Sequence, residues 1–212
     1  MLFRSKSYSR AEIKSFLDKN DIAYSSYKDD KKLIKDIAFA LTQKKVVAWF
    51  EGRFEWGPRA LGHRSILADP RDAKMKDIVN AKIKFREPYR PFAPVVLQEK
   101  AKDYFEIDNP KSGPAKFMII VIPTKKDKEK AIPAVSHLGT SRIQTVDAKT
   151  HPRYYQLIKE FGKLTGVPVI MNTSFNLRGE PIVNSPENAL NTFLKSGLDI
   201  LAMENMVIDK TT

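Results

Sequence analysis

Residues 169–181 read Val-Ile-Met-Asn-Thr-Ser-Phe-Asn-Leu-Arg-Gly-Glu-Pro, and their reading organises the rest of the chain. A β-rich apolar run over 167–171 predicts a buried strand. It passes into small polar residues and then into a Gly and a Pro that turn the chain. Ligands of open α/β sheets sit at such strand ends. Asn172, Ser174 and Asn176 alternate, so in an extended backbone they share one face and can bond phosphate or adenine. Turn formation by Asn and Ser is the plainer alternative.

Working outward, helices and strands alternate. Pro152 opens a helix whose Tyr155, Leu157, Ile158, Phe161 and Leu164 face inward, ended by Gly166. Ser185 and Pro186 start a last helix closed by Gly197, and residues 200–208 carry one or two strands. Towards the amino terminus, Ser9 and Glu12 form a capping box for a helix over 10–18. Residues 22–27 read as a strand. Asp29 caps a helix over 30–43 with Leu33, Ile34, Ile37, Ala38 and Leu41 on one stripe. Short strands are predicted at 46–50, 65–68, 92–97, 117–122 and 141–147, a helix near 72–82, and an exposed loop at 123–130. The class is α/β: a single domain with a twisted mixed sheet flanked by helices. Residues 1–45 form a helical appendage packed on a main domain of 46–212.

The chain has 212 residues and no cysteine. Disulfides, thiolate metal sites and cysteine nucleophiles are therefore excluded. Its longest apolar run is too short for a membrane span, and the polar, basic residues 1–10 predict no signal peptide. A cytoplasmic protein with no membrane contact is expected. The net charge is +12, which suggests an anionic partner. Lysines are spread widely, as on a solvated surface. Of eleven arginines, six (Arg53, Arg59, Arg64, Arg71, Arg86, Arg90) fall between positions 53 and 90. The planar guanidinium fork suits phosphate, so this clustering points to a site.

Residues 52–65 carry three glycines, a proline and Arg53, Arg59 and Arg64 after a predicted strand, an arrangement suited to an anion or to an ordinary loop. Neither common nucleotide-binding glycine motif is present. Residues 82–94 interleave cations, aromatics and the prolines Pro88, Pro91 and Pro94. If extended, they place Lys84, Arg86 and Arg90 together for a triphosphate; a basic edge strand is the alternative. In residues 136–145 a Gly turn leads into a strand with Arg142 and Gln144 on one face. His63, His137 and His151 lie far apart in sequence, which predicts isolated imidazoles and no metal site. Trp49 and Trp56 are aromatic enough to stack bases, but RNA-recognition motifs are lacking.

Four runs, GRFEWGPRALGHRSILADPR, NAKIKFREPYRPFAP, HLGTSRIQTV and TGVPVIMNTSFNLRGEPIV, resemble the carboxy-terminal domain of the O-carbamoyltransferases, including the nodulation-factor, cephalosporin and tobramycin enzymes. That domain is similar to the YrdC-like fold of threonylcarbamoyl-adenylate synthases, whose K-x-R and S-x-N elements are echoed by Lys84-Phe85-Arg86 and Ser174-Phe175-Asn176. The resemblance implies a nucleotide-binding domain that makes carbamoyl-adenylate from carbamoyl phosphate and ATP, the latter with Mg2+. It implies that Arg59, Lys84, Arg90, Arg142 and Ser174 surround the adenylate and phosphates, with Arg59, Lys84 and Arg90 catalytic. Arg86, Asn172 and Asn176 are further expected contacts. In the family an amino-terminal domain of actin-like fold, holding a metal, transfers the carbamoyl group to a hydroxyl. The expectation is that this chain lacks that domain and performs half a reaction, needing such a domain or subunit as partner. A threonylcarbamoyl-adenylate synthase and an RNA-binding module are the alternatives.

Overall fold

The computed structural model describes residues 5–87 and 89–210. Residues 1–4 of the amino-terminal stretch read for a signal peptide, and Pro88, lie outside the described residues. In chain order the first elements are α1 (Arg10–Lys19), β1 (Ser25–Ser26), α2 (Asp30–Thr42), β2 (Val47–Phe50), β3 (Arg64–Ala68) and α3 (Lys74–Val79). Next come β4 (Ala93–Leu97), α4 (Ala101–Tyr104), α5 (Gly113–Lys116), β5 (Val121–Pro123), α6 (Lys126–Glu129), β6 (Thr140–Arg142) and β7 (Gln144–Val146). The last are α7 (Pro152–Thr165), β8 (Val169–Ser174), α8 (Pro186–Lys195), β9 (Ile200–Met203) and β10 (Met206–Asp209).

Among the described residues, eight strands form one mixed sheet in the order β1-β10-β9-β2-β3-β8-β4-β7. β2 runs parallel to β9 and β4 to β7, and the remaining pairs are antiparallel. Both faces are covered, so strands such as β2 and β3 are buried at every position. That is why they read as apolar runs rather than alternating ones. On one face α2 and α7 pack Leu33, Ile37, Leu157 and Phe161 over Trp49, Leu67, Ile170 and Ala202. On the other, Ile13, Leu17, Met75, Val79, Leu190 and Phe193 from α1, α3 and α8 cover Phe50, Ile66, Met171 and Leu201. The predicted capping box is present, with Ser9 Oγ accepting from Glu12 N. α2 and α7 end where expected, α7 on a left-handed Gly166.

Several predicted elements differ. Residues 117–122 are not a buried strand: Phe117, Ile119 and Val121 are exposed, and Met118 adopts φ +58°, which breaks the extension. Only β5 remains there, paired with β6 in a separate two-stranded sheet. The single strand expected over 141–147 is therefore two strands in two sheets, changing over at Ile143. The loop at 123–130 contains the short α6, and the strand at 22–27 shrinks to β1. In α7 it is Tyr154 that faces inward, while Leu164 is exposed. The helix near 72–82 starts at Lys74 and widens into a π-helical turn, Asn80–Lys84, stopped by Phe85 at φ 44°.

The 51–63 loop leaves the end of β2 and returns through Gly62, whose φ is +115°. A Cβ there would stand 2.4 Å from the Tyr154 ring. Positive-φ strain and overpacking act together, so Gly62→Ala should lower stability by about 2–5 kcal/mol in thermal or urea unfolding.

Candidate functional site

One end of the sheet brings together the start of β3, the end of β8 and the start of β4. Ser65 pairs with Ser174, and Ala93 with Asn172. A cavity of ≈190 Å³ opens there, lined by Lys84, Arg86, Glu87, Arg90, Ser174 and Asn176 together with Arg178. Lys84 ends the π-helical turn and is buried at 5% exposure. Its Nζ donates to Ser174 O at 2.5 Å, Asn176 Oδ1 at 2.8 Å and Asn176 O at 3.0 Å, with Ser174 Oγ at 3.3 Å. Ser174 Oγ donates to Asn176 Oδ1 at 2.7 Å. Arg86 Nε donates to Asn80 Oδ1 at 2.8 Å, and its guanidinium lies 4.6 Å from the Phe92 ring centroid. Arg90 pairs with Glu87 at 3.1 Å. Lys84, Arg86 and Arg90 share a wall as expected, but not as one extended strand. The π-turn and the left-handed Phe85 turn the chain instead.

Arg142 lines an adjoining cavity of ≈230 Å³ with Phe92 and His137. Its buried Nε has no hydrogen-bond partner among the described residues. Burial lowers the Arg142 and Arg86 guanidinium pKa values. Arg59 adds to the effect on Arg142, and Arg90 and Arg142 add to it on Arg86. The charge of Arg59 is thus felt at buried Arg142, and those of Arg90 and Arg142 at Arg86. Glu87 is the carboxylate on the wall of the first cavity. Such a concentration of positive charge attracts anions.

Other expected residues do different work. Arg64 is fully buried; its guanidinium stacks 3.5 Å from the Phe50 centroid and donates to Glu51 O, His63 O and Gly52 O. It holds the base of the loop and does not serve an anion. Arg71 pairs with Asp69 at 2.6 Å. Trp49 is buried in the core. Asn172 is buried, and its Nδ2 donates to Ala60 O and to Gln144 Oε1. Gln144 is buried too and donates to Leu61 O, so the pairing of Arg142 and Gln144 on one ligand face gives way to two roles. Arg178 was not singled out from the sequence. It lines the cavity and donates to Phe85 O at 3.0 Å, and a cation beside the predicted Asn176 turn was the available signal.

The histidines are not all isolated. His63 and His151 have ring centroids 5.1 Å apart, and His63 Nδ1 stands 3.4 Å from Glu55 Oε1. Nearby, Arg153 bridges Glu51 and Glu204, each at 3.1 Å. Burial pushes the Glu51 carboxyl up to about 7 against the opposing charges of Arg153 and His63. Among the described residues no group of three or more His, Asp or Glu side chains is arranged to hold a metal ion, and no helix is long and apolar enough to cross a membrane. A cavity of ≈490 Å³ lies elsewhere, between α2 and the β1–β10 edge.

Comparison with known proteins shows the family and the fold. The family model for the carbamoyltransferase C-terminus matches residues 38–210. The nodulation protein NolNO of Sinorhizobium fredii is 49% identical over 169 residues, which are 79% of this chain and 25% of that protein. The chain spans between 25% and 36% of the length of the first curated relatives it matches. Among solved structures, full-length HypF in its phosphate- and nucleotide-bound form has a TM-score of 0.58 at 21% identity, covering 89% of this chain and 22% of HypF. Sua5 of P. abyssi, complexed with L-threonine, has a TM-score of 0.58 at 17% identity, covering 84% of this chain and 48% of Sua5. The fold is thus the expected YrdC-like one.

Burial, with the Arg86 charge beside it, pushes the Lys84 ammonium down to about 7. The surrounding acceptors favour its charged form, and an arriving anion would favour it further. Anion binding should therefore raise this pKa and take up protons above about pH 7. Calorimetry of inorganic pyrophosphate binding at about pH 8, in buffers of different ionisation enthalpy, should show uptake of a fraction of a proton. Lys84→Met should abolish that uptake.

Proposed function

The chain belongs to the carbamoyltransferase C-terminus family, and from that premise we propose that it binds ATP at the cation cluster and forms carbamoyl-adenylate from carbamoyl phosphate. The observation that carries the proposal is the gathering of Lys84, Arg86, Arg90 and Arg178 around one cavity, beside Arg142 with its unpartnered Nε. Nucleotidyl transfer needs positioning and charge stabilisation more than a protein nucleophile. Arg59, Arg90 and Arg142 meet the phosphates in this reading. Lys84, held by Ser174 and Asn176, supplies a positive charge at the strand end once an arriving anion favours its protonated form. Ser174 Oγ orients rather than attacks in this reading: it is held between Lys84 Nζ and Asn176 Oδ1, to which it donates. Glu87, paired with Arg90, is the carboxylate on the cavity wall that would face an Mg2+ carried in with ATP, which would supply counter-charge to the phosphates.

The reaction consumes one water. The phosphoryl group of carbamoyl phosphate leaves as phosphate, a carbamate oxygen joins the α-phosphorus of ATP, and pyrophosphate departs. Carbamoyl-adenylate is a mixed anhydride that water destroys, so direct passage to an enclosed acceptor site favours its productive use. Because the chain spans a minor part of its relatives, transfer to a hydroxyl acceptor is assigned to the remainder of such a protein, supplied as a domain or partner.

ATP with carbamoyl phosphate should release pyrophosphate. Threonine with bicarbonate, the substrates of the synthase alternative, should not. Arg90→Ala and Arg142→Ala should each weaken ATP binding by about 1.5–3 kcal/mol in calorimetry. Unchanged affinity in both would remove the site. Salt-dependent duplex binding without turnover would favour the RNA module instead.

A further inference from the structure

Arg59 is exposed, yet the loop that carries it is fastened on every side by buried groups. Glu55 Oε1 accepts from Leu61 N at 2.8 Å and His63 N at 2.6 Å, drawing the loop onto itself. Asn172 Nδ2 reaches from β8 to Ala60 O at 3.1 Å. Gln144 Nε2 reaches from β7 to Leu61 O at 2.7 Å. The two amides are joined, Asn172 Nδ2 donating to Gln144 Oε1 at 2.8 Å, and each is 1% exposed. Gly62 N donates to Ser65 Oγ at 3.0 Å. The backbone groups immediately after Arg59 are thus tied to three strands. Gln144 also stands two residues from Arg142, so the same tie brings the loop beside that cation.

We propose that Asn172, Gln144 and Glu55 are positioning residues: they form a buried latch that locks the 55–63 loop onto the sheet and fixes where Arg59 stands among the cations. The amide pair is directional. Gln144 must donate to Leu61 O, and its oxygen must accept from Asn172, so an apolar side chain of the same size cannot substitute. In this arrangement each amide acts through Arg59 by way of the loop carbonyl it holds. What Arg59 does there rests on the adenylate reading, whereas the placement of the loop does not.

Gln144→Met keeps the volume and removes both hydrogen bonds, which separates the latch from simple packing. Glu55→Gln removes the charge that grips Leu61 N and His63 N without leaving a cavity, and serves if Gln144→Met does not fold. Amide hydrogen exchange on the full chain should show faster exchange over 59–63 in either variant, with α7 and β9 unchanged. Arg59→Ala should weaken ATP binding about tenfold and Gln144→Met about fivefold. The double variant should be no more than about twofold weaker than Arg59→Ala alone, because both changes remove one interaction. Unaltered loop exchange in both latch variants overturns the proposal, as do effects that multiply in the double variant. Faster loop exchange in a chain that does not bind ATP discards the nucleotide reading and leaves the latch standing.

Discussion

Burial first, and neighbouring positive charge second, disfavour the charged forms of Arg86, Arg142 and Lys84, a cost that a bound anion would offset. The surroundings hold these cations in place largely without neutralising them. Lys84 is held by backbone carbonyls and an amide oxygen, Arg86 by Asn80 and the face of Phe92, and Arg178 by Phe85 O. Neutral dipoles orient a cation and leave its net charge in place. Arg90 has a carboxylate partner in Glu87, and that pair is exposed, where an ion pair is weak and readily exchanged.

Arg153 and Arg71 show the opposite treatment. Arg153 is divided between Glu51 and Glu204, and Arg71 is gripped by Asp69 through both guanidinium edges. Arg64 is caged by three backbone carbonyls over Phe50. That cage closes the ends of the 51–63 loop, because Glu51, Gly52 and His63 supply the carbonyls. The loop thus has an arginine at its base that is spent on structure and one near its tip, Arg59, that is exposed. Sequence clustering cannot separate two such arginines, since both follow the same Gly-rich pattern. Burial against carbonyls does separate them.

Local chemistry was legible where one segment contained it. The capping box at Ser9, the stripe of α2 and the apolar run of β8 follow from neighbours within a few residues. Lys84, Arg86 and Arg90 were legible as a set because one short segment holds them, although the π-turn that arranges them leaves no simple periodic mark. Pairings across long separations were not legible. Asn172 and Gln144 are 28 residues apart, and His63 and His151 meet only once α7 docks beside the loop. The 117–122 run misled because hydrophobicity alone does not reveal a left-handed residue such as Met118, nor that alternate side chains there remain in solvent.

Lys84 is the point where fold and site cannot be separated. At the end of β8, Ser174 O and Asn176 O are half-buried and both accept from Lys84 Nζ, Ser174 O also from Asn176 N at 3.2 Å. Lys84 reaches both with a single nitrogen on a flexible stem. A guanidinium carries its donors on a planar fork and would not converge on the same point. An apolar replacement would remove the shared donor and the charge at once. The strand end is thus tied by a compact donor that also lies on the cavity wall. Structural closure and local positive charge arise from the same ammonium group.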